Sequence, residues 1–215
     1  MRVGVLLGGC GLYDGSDVHE TVLTLLALEI AGEKPVLVAP DVEQDRTVDH
    51  LTGEAAAGES RSVLREAARL ARGSIQDLAS CRPQDLEALI IPGGYGPVVN
   101  FSTGFARQGE AHALRPDVER FIRHFLEERK PVGTVSLGEV PVRMILGLPL
   151  DPTPAGRPGD IVVEAGGRSV HTPGFAGFTR LGDVRAGIEA MVAEVLERME
   201  ARARGPSAPG PEGGR

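Results

Sequence analysis

Four short apolar runs, at residues 3–7, 35–39, 89–91 and 132–135, constrain the fold more than any other feature of this chain. Each is too short for a helix and apolar without alternation, the pattern of a strand buried on both faces of a parallel sheet. Three of them run straight into turns of small residues: Gly8-Gly9 after the first, Pro92-Gly93-Gly94 after the third and Ser136 after the fourth. Such turns lie at the carboxyl edge of an open sheet, where ligands bind and the first amides of the next helix face the crevice. The spacing predicts helices between the strands. Residues 22–31 are apolar almost all round and read as a buried helix ended by Gly32, and residues 62–71 read as a second helix stopped near Gly73. Pro116 opens a third, with Val118, Phe121, Ile122, Phe125 and Leu126 on one face. Lys130 and Pro131 close it, and a short helix follows the turn at Ser136 as far as residue 146.

Beyond a Pro/Gly-rich connector at 149–158, residues 161–164 and 168–172 read as a hairpin. A last helix is striped by Val184, Ile188, Met191, Val192, Val195, Leu196 and Met199. The reading is therefore an α/β doubly wound sheet in one domain, residues 1–204, with residues 205–215 as a disordered tail.

Net charge is −7 and the sequence pI about 5.3, so neither a nucleic-acid backbone nor an anionic membrane is an expected partner. No apolar run approaches membrane length. Cys10 and Cys81 are expected as free thiols, and the chain is expected in the cytoplasm, because its first residues lead directly into a strand. Asn100 is the one asparagine and arginine far outnumbers lysine. That bias fits a warm-adapted source and a GC-rich genome equally.

The turn at Ser136 has the form of a nucleophile elbow, with the Leu137 amide as an oxyanion donor. Glu20, in the first turn of the first helix, and Gly93 and Gly94 are expected to converge on Ser136 in one crevice. The chain has five histidines. His112 and His124 are expected to face solvent, whereas His19 and His171 sit where they could approach the crevice. A Ser136, His171 and Glu20 hydrolase is one possible chemistry; a pocket serine with no covalent role is the plainer one. Glu139 would add a second carboxylate near Glu20, or simply favour its helix N-terminus. His19, Glu20 and Glu139 lack any ligand spacing, so neither a metal nor a cofactor is expected.

The segments 9–20, Ala39-Pro40-Asp41, 49–54, 59–64, 71–73, 91–96 and Thr172-Pro173 together resemble the ElbB-like proteins. These are a branch of the PfpI superfamily with the class I glutamine amidotransferase-like fold. The resemblance spans residues 2 to 200 or so. It implies a flavodoxin-like three-layer sandwich, a mostly parallel sheet with a C-terminal hairpin, and commonly a homodimer. It also implies a weak glyoxalase-like lyase activity, with a loose link to isoprenoid synthesis. In that family the elbow residue is a cysteine that an acid matching Glu20 assists; here it is Ser136, followed by Leu137, Gly138 and Glu139 instead of a short apolar segment ending in proline. The family's lysine before an Asn-Leu pair is Val99 before Asn100-Phe101, and its strand and helix ahead of the hairpin are largely missing.

A thiol of ordinary pKa about 8.5 ionises readily beside a helix N-terminus, whereas a serine needs a dedicated base. The expected function is accordingly a pocket for a small carbonyl or anionic metabolite, contacted by Gly93, Gly94, Leu137, Asn100, Glu139 and His19, without cysteine-dependent glyoxalase chemistry. Two alternatives stand beside it: an active glyoxalase, deglycase or Ser136 hydrolase, and a structural or regulatory dimer with a vestigial crevice. Cys10 is read as structural.

Overall fold

A computed structural model describes residues 2–103, 113–150 and 156–204. The first half runs β1 (Arg2–Leu6), α1 (Val18–Ile30), β2 (Lys34–Ala39), β3 (Val48–Asp49), β4 (Glu54–Ala55), α2 (Val63–Leu70), β5 (Gln76–Asp77) and β6 (Ala88–Ile91). Then come α3 (Gly96–Val99), β7 (Ser102–Thr103), β8 (Ala113–Leu114), α4 (Pro116–Glu127), β9 (Val132–Val135) and α5 (Glu139–Leu146). The hairpin strands β10 (Val162–Glu164) and β11 (Ser169–Thr172), a short α6 (Gly174–Gly177) and the long α7 (Leu181–Arg204) complete it.

Seven strands form the central sheet in the order β10-β11-β9-β6-β1-β2-β5. All neighbours are parallel except β10 and β11. From β1 the chain steps outward to β2 and then returns across β1 to β6 and β9, so the winding reverses between β1 and β6. That reversal opens a crevice at the carboxyl edge, because the connections leaving the two strands part to opposite faces.

Alternation along each strand builds two cores. Val3 and Val5, Ala88 and Ile90, Val135 and Val170 face α1, α2 and α7. Leu6, Leu89, Ile91 and Val132 face Phe121, Ile122 and Phe125 of α4 and Val142 of α5. Burying each of those α4 side chains contributes roughly 2 kcal/mol, which is why the clean apolar stripe of α4 predicts its packed face correctly. The stripe of α7 likewise packs on β9, where Gly133 leaves room for Met191 and Val195.

Several expectations need correcting. Helix α1 starts at Val18, not residue 22, capped by the Asp17 side chain, and it is not buried all round: Val18, Val22, Leu26 and Ile30 are exposed. The stretch at 41–60, read as polar connection, contains the β3–β4 hairpin, and the edge strand β5 and the β7–β8 ladder had no counterpart in the reading. Lys130 does more than end a helix: its buried amine donates to the carbonyls of Pro83, Gln84 and Leu86 and to His124 Nε2, so His124 is half-buried instead of solvent-facing. The tail at 205–215, His112 and part of the 149–158 connector lie outside the described residues.

Candidate functional site

The chain leaves β9 in extended geometry at Val135 and folds at once into a 3-10 turn, Ser136–Gly138, ahead of α5. Ser136 takes φ +50, a left-handed conformation that L residues avoid and that marks a sharp strand-to-helix bend. The bend is pressed onto the end of β6, since a Cβ at Gly138 would coincide with the Ile91 carbonyl oxygen. Only 7% of Ser136 is exposed, so whatever meets its hydroxyl must be small.

Glu20 reaches the same place from α1. Its backbone N–H donates to the Asp17 cap at 2.9 Å, leaving its carboxyl free to point inward. Oε2 accepts the Gly93 N–H and Oε1 the Phe175 N–H, both at 2.9 Å. A Cβ on Gly93 would fall onto Glu20 Oε2 and lie 2.7 Å from both the Ser136 Cβ and the Val135 carbonyl. Gly93 is thus the point at which α1, the β6 turn and the elbow touch. Gly174, at φ +54, lets the Phe175 amide approach in the same manner.

Complete burial pushes the Glu20 pKa up to about 8. The hydrogen bonds from Phe175 and Gly93 pull the other way, and the negative Asp17 adds to the rise. Glu20 is therefore mainly a neutral acid at pH 7.

The glycine-rich loop after β1 is pinned to this centre. Asp17 N–H donates to the Gly93 carbonyl at 2.9 Å, and the Tyr95 and Gly96 amides donate to Leu12 and Gly15 at 2.8 Å. Asn100, expected against the ligand, spends its side chain on the main chain instead: Nδ2 donates to the carbonyls of Gly8 and Asp14, and Oδ1 accepts the Asp45 N–H. An amide with those partners holds the loop shut.

His171 and Glu139 have partners of their own. His171 is buried beneath the elbow, its Nδ1 3.0 Å from Thr134 Oγ1 and its Nε2 3.7 Å from Glu139 Oε2. Burial drives its pKa down to about 4, with Glu139 opposing and Arg143 assisting. Glu139 pairs with Arg143, which also pairs with Glu164 and so ties α5 to the hairpin. Glu139 lies in the first turn of α5, the helix-N-terminus alternative expected for it, and among the described residues no hydrogen bond joins Ser136 Oγ to Glu20 or His171. His19 is exposed, edge-on to Phe175. Cys10 is a free thiol whose pKa is raised, chiefly by burial.

Sequence reasoning missed Phe175, Asp17, Thr134 and Arg143. A signal existed for two of them. Asp17-x-x-Glu20 is a helix-start pattern, and Thr172-Pro173-Gly174 is a fourth strand-to-turn junction at the same edge.

A reversed parallel sheet, a strained elbow after β9 and a buried acid on α1 define the class as the class I glutamine amidotransferase-like fold of the DJ-1/PfpI kind. An isoprenoid biosynthesis protein with an amidotransferase-like domain from Ehrlichia chaffeensis superposes with a TM-score of 0.83 at 28% identity, over 92% of this chain and 99% of that one. Toxoplasma gondii DJ-1, at TM-score 0.51 and 14% identity over 94% and 96% of the two chains, shares the fold alone. No family model matches the chain.

Among curated proteins, the rat mitochondrial ES1 protein homolog is 34% identical over 222 residues, 91% of this chain and 83% of its own length. The human mitochondrial glutamine amidotransferase-like class 1 domain-containing protein 3 is 41% identical over 145 residues, 67% of this chain. The chain belongs to this ES1 family of glutamine amidotransferase-like proteins. The matches span only 54% of the human protein and 52% of the zebrafish ES1 protein.

These names correct the cytoplasmic expectation. All three relatives are named as mitochondrial proteins, which overturns that expectation. The expectation rested on the opening residues leading straight into a strand, and where a strand starts carries no information about the compartment in which it ends up.

Proposed function

We propose that this chain is an ElbB-like member of its family that holds a small carbonyl or carboxylate metabolite at the elbow and lacks cysteine-dependent glyoxalase chemistry. The observation that carries the reading is a left-handed Ser136 beside a buried, neutral Glu20, with no histidine among the described residues hydrogen-bonded to either. Serine attack requires a base to take the hydroxyl proton. Glu20 at about 8 keeps its own proton at pH 7, and His171 is turned to Thr134 and Glu139.

The Glu20 carboxylic acid, the Ser136 hydroxyl, the Gly94 N–H and the Leu137 N–H suit a ligand oxygen carrying partial or full negative charge. Leu137 is near the start of a helical turn, where amides have no partner within the turn.

The test is methylglyoxal with D-lactate as the product measured. The wild-type protein is expected to give no more than buffer, and Ser136→Cys to give a measurable excess, because a thiolate needs no separate base. Turnover by the wild type that disappears in Ser136→Ala would overturn the reading in favour of a serine enzyme.

A further inference from the structure

His50, in the turn between β3 and β4, takes no part in the elbow site, yet its ring is held at both nitrogens. Nε2 accepts the Tyr13 N–H at 3.2 Å, and Nδ1 lies 3.1 Å from the Val48 carbonyl oxygen. An amide N–H can only donate and a carbonyl can only accept, so the proton of the neutral ring sits on Nδ1. Behind the ring lies Asp14, whose Oδ2 accepts the Val48 N–H at 2.8 Å. Its Oδ1 is buried, has no hydrogen-bond partner among the described residues and stands 3.7 Å from His50 Nε2. Gly11, at φ +136, permits this approach: a Cβ there would lie 2.7 Å from Nε2 and 2.9 Å from Oδ1. The His50 side chain is 39% exposed and that of Asp14 1%, so the imidazole can take a proton from solvent while the carboxylate is shut off from it.

We infer that His50 is a proton-operated latch on the glycine-rich loop after β1. In the neutral form Nε2 holds the Tyr13 amide. Protonation turns Nε2 into a donor, which sets N–H against N–H at the Tyr13 contact and leaves the unpartnered Asp14 oxygen as the acceptor at hand. The ring then swings to Asp14, a charge-assisted hydrogen bond replaces a neutral one, and the Tyr13 amide is released. Other charged groups face the same place. Asp49, Glu54, Glu59 and Arg61 line one hollow with the ring, Glu66 of α2 acts on Arg61, and Arg46 donates to the Tyr13 carbonyl. Release carries to the crevice, because the Leu12 carbonyl, next to Tyr13, accepts the N–H of Tyr95, the residue after Gly94. The latch holds whatever ligand the elbow takes.

Tyr13 and Tyr95 are the chain's two tyrosines, so the full chain labelled with nitrogen-15 tyrosine gives two backbone amide signals, told apart by Tyr95→Phe. The test follows the solvent-exchange protection of both amides from about pH 8 to pH 5, the range in which histidine changes charge. The His50 ring signals, assigned by their loss in His50→Gln, are read in the same samples. Tyr13 protection is expected to fall tenfold or more as His50 takes its proton, and the Tyr95 signal to move with the same midpoint. His50→Gln should remove the pH dependence. Asp14→Asn should move the midpoint down by about one pH unit, because the charged ring loses its anionic acceptor. Tyr13 protection that stays constant while the His50 ring titrates overturns the latch. A midpoint unmoved by Asp14→Asn overturns Asp14 as the receiving acceptor, and a stationary Tyr95 overturns the link to the crevice.

Discussion

Glu20 and Ser136 share one glycine, and their protonation states follow from its lack of a side chain. Gly93 lets the carboxyl come close enough to be wholly enclosed, and enclosure raises its pKa from 4.5 to about 8. Linkage gives the sign. Between 4.5 and about 8 the folded chain holds a proton on Glu20 that the unfolded chain has lost, so stability contributed by the neutral acid is complete below 4.5 and drains away as pH rises through 8. His171, lowered from 6.5 to about 4, acts oppositely: its contribution is complete above 6.5 and is lost as pH falls towards 4. The two oppose each other from 4.5 to 6.5, and above 6.5 only Glu20 acts. The wild type should therefore lose urea resistance from pH 6.5 to 8. Glu20→Gln should flatten that slope, at a cost of about 1–2 kcal/mol at pH 6 because an amide cannot accept both backbone N–H groups. An unchanged slope in Glu20→Gln would show that Glu20 does not titrate in this range.

At the scale of elements, the four central strands were legible because burial on both faces demands continuous apolar residues, and because their close turns demand glycine. The two-residue strands β3, β4, β5, β7 and β8 were not, since a pair of residues has no periodicity. The outer ridge of α1 misled for another reason: valine and leucine read as core whether they face a sheet or solvent. At the site, Glu20, Gly93 and Ser136 were legible as three edge positions, but the side-chain commitments of Asn100 and His171 depend on contacts between distant segments. Two glycines flanking α5 illustrate the difference. Gly138 has ordinary backbone angles but would set a Cβ against the Ile91 and Pro92 carbonyls, neither of which can yield; Gly147 has open space but φ +65. Gly138→Ala should cost about 3 kcal/mol by overpacking and displace the elbow, whereas Gly147→Ala should cost about 1 kcal/mol through backbone strain. Equal losses in urea midpoint would mean that the elbow is not wedged against β6.

For the molecule as a whole, charge and apolar surface pull in opposite directions. Each copy carries −7, so in the homodimer that the resemblance implies two copies repel at long range, while an apolar surface such as the exposed α1 ridge attracts only on contact and contains no charge of its own. Salt screens long-range repulsion strongly, with a Debye length falling from about 30 Å at 0.01 M to about 8 Å at 0.15 M, and leaves apolar contact almost untouched. An interface held by the ridge should therefore tighten as sodium chloride rises over that range, its dissociation constant falling several-fold in sedimentation equilibrium. An interface held by ion pairs would loosen instead. The direction of the salt effect thus separates the two without any mutation, and loosening would place the dimer contact on a charged face elsewhere.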